Sequence, residues 1–284
     1  MSLIIQRSVK DLRGNSLVKA KTDLVEWSNK AIISGEYLKK KTRFKDAVSF
    51  VEDCEEIFSR KPYDTVLKGW TSNFREWLGE MYAPSVVFEE LRRIRGMDPY
   101  SYQHILTISV VGCRLLEIWI TSAPTIKRSF QALICHRLGK SRTAQEVLLK
   151  KESLDEAEKR IIFEQPMVGF VLNAFYWADT NHLCAKVALQ HQEDRKGGGY
   201  PSGVKTNSLL LDILHMLDRF DALISERPFR YKKFSVREAL DILKQDVDEG
   251  RMEEDVLKAF TDLIRNESLS DYKALKFGTI GRPA

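Results

Sequence analysis

Residues 100–118 read YSYQHILTISVVGCRLLEI, and this stretch decides the fold. His104, Ile108, Val111, Leu115 and Ile118 recur every three or four residues, the period of one helical face rather than the alternation of a strand. The apolar window runs on to Ile120 but is broken by Gly112, Arg114 and Glu117, so it is too short and too charged to cross a bilayer. A buried helix of a bundle is expected, with a histidine on its inner face.

The same period continues on both sides. Downstream, Phe130, Leu133 and Ile134 belong to a second helix, for which Gly139 is a suitable C-terminal cap. Ser153 and Glu156 have capping-box spacing and start a third, which is expected to run past Phe163 into Val168–Phe175 with an irregularity at Pro166. Asn181–Leu189 and the long apolar stretch Leu209–Ile224 follow, then a second capping-box pair at Ser235 and Glu238, and Met252–Ile264 closes the set. Upstream, Val48, Val51, Cys54 and Ile57, then Trp70, Phe74, Trp77 and Leu78, predict helices between Phe44 and Gly96. Before about Lys40, short apolar pieces such as Ser16–Val18 and Ala31–Ile33 are punctuated by Gly14, Asn15, Ser34 and Gly35, which reads as β-rich. The expected fold is mainly α: a small β-rich N-terminal module over residues 1–43, a helical connector over 44–97 and a helical domain over 98–284.

Composition narrows the function. In 284 residues there are 45 basic and 40 acidic side chains, a net charge of only +5. Nucleic-acid binding finds its single support in the basic cluster Lys39, Lys40, Lys41, Arg43 and Lys45, which reads better as a solvated connector. Cys54, Cys113, Cys135 and Cys184 have no C-x-x-C spacing and are expected to be reduced and buried. The start Met1-Ser2-Leu3-Ile4-Ile5 has no basic n-region, so a cytoplasmic protein without a membrane partner is expected. No Gly-rich phosphate loop of the Walker or dinucleotide type is present.

Chemistry-bearing residues then fall into an ordered series. His104 follows Tyr100-Ser101-Tyr102-Gln103. His136 opens His136-Arg137-Leu138-Gly139-Lys140. Next come Gln165-Pro166-Met167-Val168-Gly169, then His191-Gln192-Glu193, and then Gly197-Gly198-Gly199-Tyr200-Pro201. Last are Leu217-Asp218-Arg219-Phe220-Asp221-Ala222-Leu223 and Arg227-Pro228-Phe229-Arg230. Imidazoles and carboxylates on separate helices of a bundle can converge on a metal. In order and spacing the series resembles the HD-GYP family, an HD-type helical bundle whose bacterial members use two or three iron or manganese ions to hydrolyse cyclic di-GMP.

The resemblance implies metal ligands at His104, His136, His191 and Asp218. It also marks departures. Arg137 stands where the family has a bridging aspartate, and Gln165 and Gln192 stand where it has histidines. Lys196 and Asp212 replace a common aspartate and a common arginine. A guanidinium cannot ligate a metal and keeps its charge in proteins. At 4 Å and an effective dielectric near 20, two unit charges repel by about 4 kcal/mol, and a divalent ion doubles that. Arg137 is therefore expected to pair with Asp218 and to fill part of the space of a metal pair.

The residues that approach the dinucleotide in the family have counterparts in Lys140, Tyr200, Arg227 and Arg230, although Arg230 could instead pair with Glu226. The expected function is a non-catalytic signalling module with no cofactor and no catalytic residue. It would bind cyclic di-GMP or a protein partner such as a diguanylate cyclase domain, which could order a mobile Gly197–Gly199 run. The alternative is a cyclic di-GMP phosphodiesterase with one iron or manganese ion on His104, His136 and Asp218, and with Lys140 stabilising the developing charge.

Overall fold

The computed structural model describes residues 2–226 and 233–269, together with Tyr272, Leu275 and Gly278. The chain is mainly α-helical. The decisive stretch is a helix over Pro99–Leu116, buried along nearly its whole length. Asp98 caps it by accepting from the Ser101 amide at 3.0 Å, and Pro99 opens the first turn, where its missing N–H costs nothing. The helices Ala123–Cys135 and Leu209–Ile224 pack on either side of it. Leu183–Gln190 packs against Ala123–Cys135, and Gln165–Tyr176 packs against Leu183–Gln190. The helices Val236–Asp248 and Glu254–Arg265 close the domain.

Ser235 and Glu238 form the capping box expected of them. The third helix instead starts at Glu156, capped by Asp155, two residues beyond Ser153, with Glu158 as its box partner. It ends at Phe163, and Gln165–Tyr176 begins afresh with Pro166 in its first turn. Gly139 is not a helix cap. Its helix ends at Cys135, and Gly139 lies within a short 3-10 turn, Leu138–Arg142, where a Cβ would stand 2.0 Å from the Gln165 carbonyl oxygen. The glycine thus lets the turn carrying Lys140 press directly on the helix that starts at Gln165.

The N-terminal part contributes only short antiparallel pairs, Ile4–Ile5 with Thr22–Asp23 and Val9–Lys10 with Ser16–Val18. The expected strand near Ala31–Ile33 is absent. A helix over Leu24–Lys30 precedes it, and Ile32 is fully exposed. Lys41–Arg43 pairs with Tyr82–Pro84, with Arg43 stacked over the Tyr82 ring, so this part of the basic cluster is a β-ribbon. Phe44, Phe74 and Phe130 meet edge-on at 5.6–5.7 Å and join the connector helices to the bundle core.

Candidate functional site

The site lies where the first bundle helix faces Leu209–Ile224. Asp218 and Asp221 are three residues apart on the latter, so both carboxylates project from one face. His104 sits between them. Its Nδ1 is 2.6 Å from Asp221 Oδ2 and its Nε2 is 3.0 Å from Asp218 Oδ1. Asp221 also accepts from the Tyr63 hydroxyl at 2.8 Å and lies 3.5 Å from Arg60 Nη2. Arg60 and Tyr63 come from the helical segment that precedes Pro99. Nothing near them in sequence marked them, although the spacing of Asp221 from Asp218 could have marked Asp221.

Arg137 completes the chain of groups. Its Nε donates to Asp218 Oδ1 at 3.1 Å, and its Nη2 donates to the same oxygen. The pairing expected of Arg137 is thus present. Burial alone would raise the Asp218 carboxyl. The Arg137 guanidinium and the bond to His104 override it and hold that carboxyl well below the usual range. Burial likewise opposes the charge of Asp221, and His104, Arg60 and Tyr63 keep its value low.

Two more histidines border this group. His136 Nδ1 donates to the Leu133 carbonyl, and His191 Nδ1 donates to the Ala188 carbonyl at 2.8 Å. Each ring therefore presents Nε2 as a lone pair, the arrangement of a metal-ligating histidine with its orienting partner. Burial, then the nearby Arg137 charge, pushes His191 down to about 3. Burial, His191 and Arg137 push His136 well below its ordinary value. Both rings are neutral near pH 7. His136 Nε2 is buried without a hydrogen-bond partner among the described residues and lies 3.9 Å from Asp218 Oδ1.

The ligand atoms of His104, His136 and Asp218 all lie within 4.8 Å of one another. His191 is edge-on to His136 at 5.4 Å but falls outside this set. Three donors would suit a single ion. They do not suit the metal pair that the motif series implies, because the guanidinium rests on the carboxylate oxygen such ions would share. Gln165 Nε2 donates to Thr143 Oγ1 at 3.0 Å, and Gln192 lines the cleft above.

That cleft encloses about 700 Å³. Arg137, His191 and Asp218 line it, together with Lys140, Tyr100 and Tyr200, and Leu148, Leu149, Leu154 and Ile162 form an apolar side. Lys140 donates to Ser101 Oγ at 2.6 Å and stands 3.7 Å from Asp98. Tyr200 packs edge-on against Phe163 at 4.7 Å. Arg227 and Arg230 lie outside the described residues, and the acid suggested as a partner for Arg230, Glu226, pairs with Lys233 at 2.9 Å.

The glycine run is not the loose segment its composition suggests. Asp194 Oδ1 accepts the amides of Lys196 and Gly198 at 2.8 and 2.9 Å. Glu193 Oε1 accepts the Ser202 amide at 2.7 Å, and Tyr200 N donates to the Gln192 carbonyl at 3.1 Å. A Cβ on Gly199 would stand 2.2 Å from that same carbonyl oxygen, so only glycine permits the approach. Glu193 and Asp194 are thus the residues that fix Tyr200 in the cleft wall.

Comparison with known proteins agrees with this layout. Residues 122–256 match the family described as HD domain. The 3'3'-cGAMP-specific phosphodiesterase 3 of Vibrio cholerae is 29% identical over 173 residues, 60% of this chain and 37% of that protein. The chain is thus similar to HD-domain proteins of the HD-GYP type. A cyclic di-GMP phosphodiesterase of Thermotoga maritima is 26% identical over 56% of this chain and 44% of its own length. Cyclic di-GMP phosphodiesterase PA4108 of Pseudomonas aeruginosa is 25% identical over 67% of this chain and 46% of its own. The chain thus spans less than half the length of each of these curated relatives. The solved structure of Bd1817, a HDG"Y"P protein from Bdellovibrio bacteriovorus, superposes with a TM-score of 0.47 at 14% identity over 93% of this chain and 99% of that one. No helix among the described residues is long and apolar enough to cross a membrane.

Proposed function

We propose that this HD-GYP domain is a non-catalytic module whose cleft binds a cyclic dinucleotide, cyclic di-GMP in the first instance, and passes the bound state to a protein partner such as a diguanylate cyclase domain. One observation carries the proposal: the Arg137 guanidinium sits on Asp218 Oδ1, the oxygen that His104 also contacts, at the centre of the candidate donor set. A fixed cation there opposes a pair of divalent ions. The cleft meanwhile keeps Lys140 and Tyr200, and the relatives' names place cyclic dinucleotides among their substrates.

Metal analysis of purified protein, together with calorimetry against cyclic di-GMP, tests the proposal. Less than one tightly bound transition metal per chain and measurable binding without turnover are expected. Two tightly held ions per chain, or hydrolysis on addition of iron or manganese, would overturn it. Appearance of activity in Arg137→Asp alone would strengthen it.

One observation favours a second reading. The buried, unpartnered His136 Nε2 suits a single iron or manganese ion shared with His104 and Asp218, once Arg137 leaves the carboxylate. The ion would supply Lewis acidity to a phosphodiester, and this chain's own residues would only hold it. A single equivalent of metal that survives dialysis, with turnover, would select this reading.

A further inference from the structure

We infer that Arg137 is itself a ligand-binding residue of the cleft: a guanidinium, anchored by Asp218, that takes a phosphate oxyanion of the bound molecule. The inference rests on the reading of the cleft as a phosphodiester site, and it adds a contact that the motif series does not supply.

A guanidinium carries five N–H groups in a fixed plane. Arg137 directs Nε and Nη2 to one oxygen of Asp218. Its Nη1 donates to no acceptor among the described residues, nor is it among the buried atoms left without a partner, so it is reached from the cleft that Arg137 lines. The side chain is 15% exposed, which leaves one edge for a ligand and hides the rest.

The other cations of the cleft differ. Lys150 is held by both oxygens of Glu158 at 2.8 and 2.6 Å, and Arg219 Nε lies 2.6 Å from Asp246. Lys151 is exposed at the rim, and Lys140 donates to Ser101. Among the described residues, Arg137 is the cation on the floor with N–H groups still to give.

Anchoring makes that edge usable. Asp218 is fixed by His104, His104 by Asp221, and Asp221 by Tyr63 and Arg60. A guanidinium held this way loses little side-chain freedom when a ligand arrives. Planar N–H pairs suit the oxygens of a phosphodiester, and Tyr100 and Tyr200 flank the position with aromatic rings.

The experiment uses the full chain with ¹⁵N-labelled arginine. The Arg137 Nε–Hε signal is assigned by its loss in Arg137→Lys and then followed during titration with cyclic di-GMP and, separately, with inorganic phosphate. Calorimetry compares the wild type with Arg137→Gln, whose melting temperature is measured to establish that it is folded. The expected result is a shifted signal with either ligand and an affinity for cyclic di-GMP weakened about ten- to hundredfold in Arg137→Gln. If cyclic di-GMP binds while the signal stays put, or binds the folded variant as well as the wild type, the inference falls and the proposed function stands. If phosphate moves the signal but cyclic di-GMP does not bind, the ligand named above falls and the role of Arg137 stands. If neither ligand moves it and cyclic di-GMP does not bind, both fall.

Discussion

Two arginines five residues apart, Arg137 and Arg142, are each partly buried against a carboxylate, and they are used in opposite ways. Arg142 is saturated. Its Nη1 and Nη2 take the two oxygens of Glu90 at 2.8 and 2.5 Å, Nη1 also reaches Ser141 Oγ at 2.6 Å, and Nε donates to the Lys10 carbonyl at 2.8 Å. Tyr176 donates to the same Glu90, which is fully buried. Arg7 donates to the Arg142 carbonyl at 2.9 Å and pairs with Glu164 at 3.2 Å, so the N-terminal strands are stitched to the bundle here. Arg137 instead leans on one oxygen of Asp218 and turns its remaining edge to a cleft. A guanidinium whose N–H groups are all spent inside the protein holds the fold together. One with N–H groups left over beside a cavity is available to a ligand.

The comparison can be broken by removing each cation in turn. Arg142→Met leaves the Glu90 carboxylate buried without its partner and is expected to cost about 3–5 kcal/mol in urea unfolding. A loss below 1 kcal/mol would show that this pair is not structural. Arg137→Gln is expected to cost less, about 1–3 kcal/mol, because cleft water can reach Asp218 and His104 still contacts it. If it costs as much as Arg142→Met, the contrast between the two arginines is lost.

Smaller effects sharpen it. Tyr63→Phe removes the hydroxyl on Asp221 and should cost about 1 kcal/mol. It should also loosen the anchoring of Arg137, read as broadening of its Nε–Hε signal. The weakest effect concerns pH. Guanidinium charges do not change between pH 4 and 7, so neither arginine titrates in that range. His182 does. Burial lowers it to about 4, and its Nδ1 accepts the Cys184 amide at 3.3 Å, a cap that requires the neutral ring. With the folded value below the unfolded one, its stabilising effect is complete above about pH 6.5 and is lost as pH falls toward 4. A plot of melting temperature against pH should therefore flatten over this window in His182→Gln, and an unchanged slope would remove His182 from the account.

Much of this was written in the chain itself. The helical period over residues 100–118 marked a bundle helix, and Leu209–Ile224 was bounded to the residue, because these signals are local and repeat at fixed spacing. The charge of Arg137 against a metal pair was likewise legible, since a guanidinium has the same charge wherever it folds. Other features were hidden. Asp155 rather than Ser153 caps the third helix, where its side chain and that of Glu158 close a reciprocal capping box. Glycine composition suggested mobility at Gly197–Gly199, whereas the carboxylates of Glu193 and Asp194 pin that segment.

The sequence by itself determined the helices, the order of the motif residues and the fixed charge of Arg137. Tertiary structure alone decided which groups meet. It brought Arg60 and Tyr63 across more than a hundred positions to Asp221, set Arg137 on Asp218, and left one edge of Arg137 open while saturating Arg142. The reason is physical. Periodicity and charge belong to each residue, but whether a buried donor is satisfied depends on partners that only the folded chain supplies.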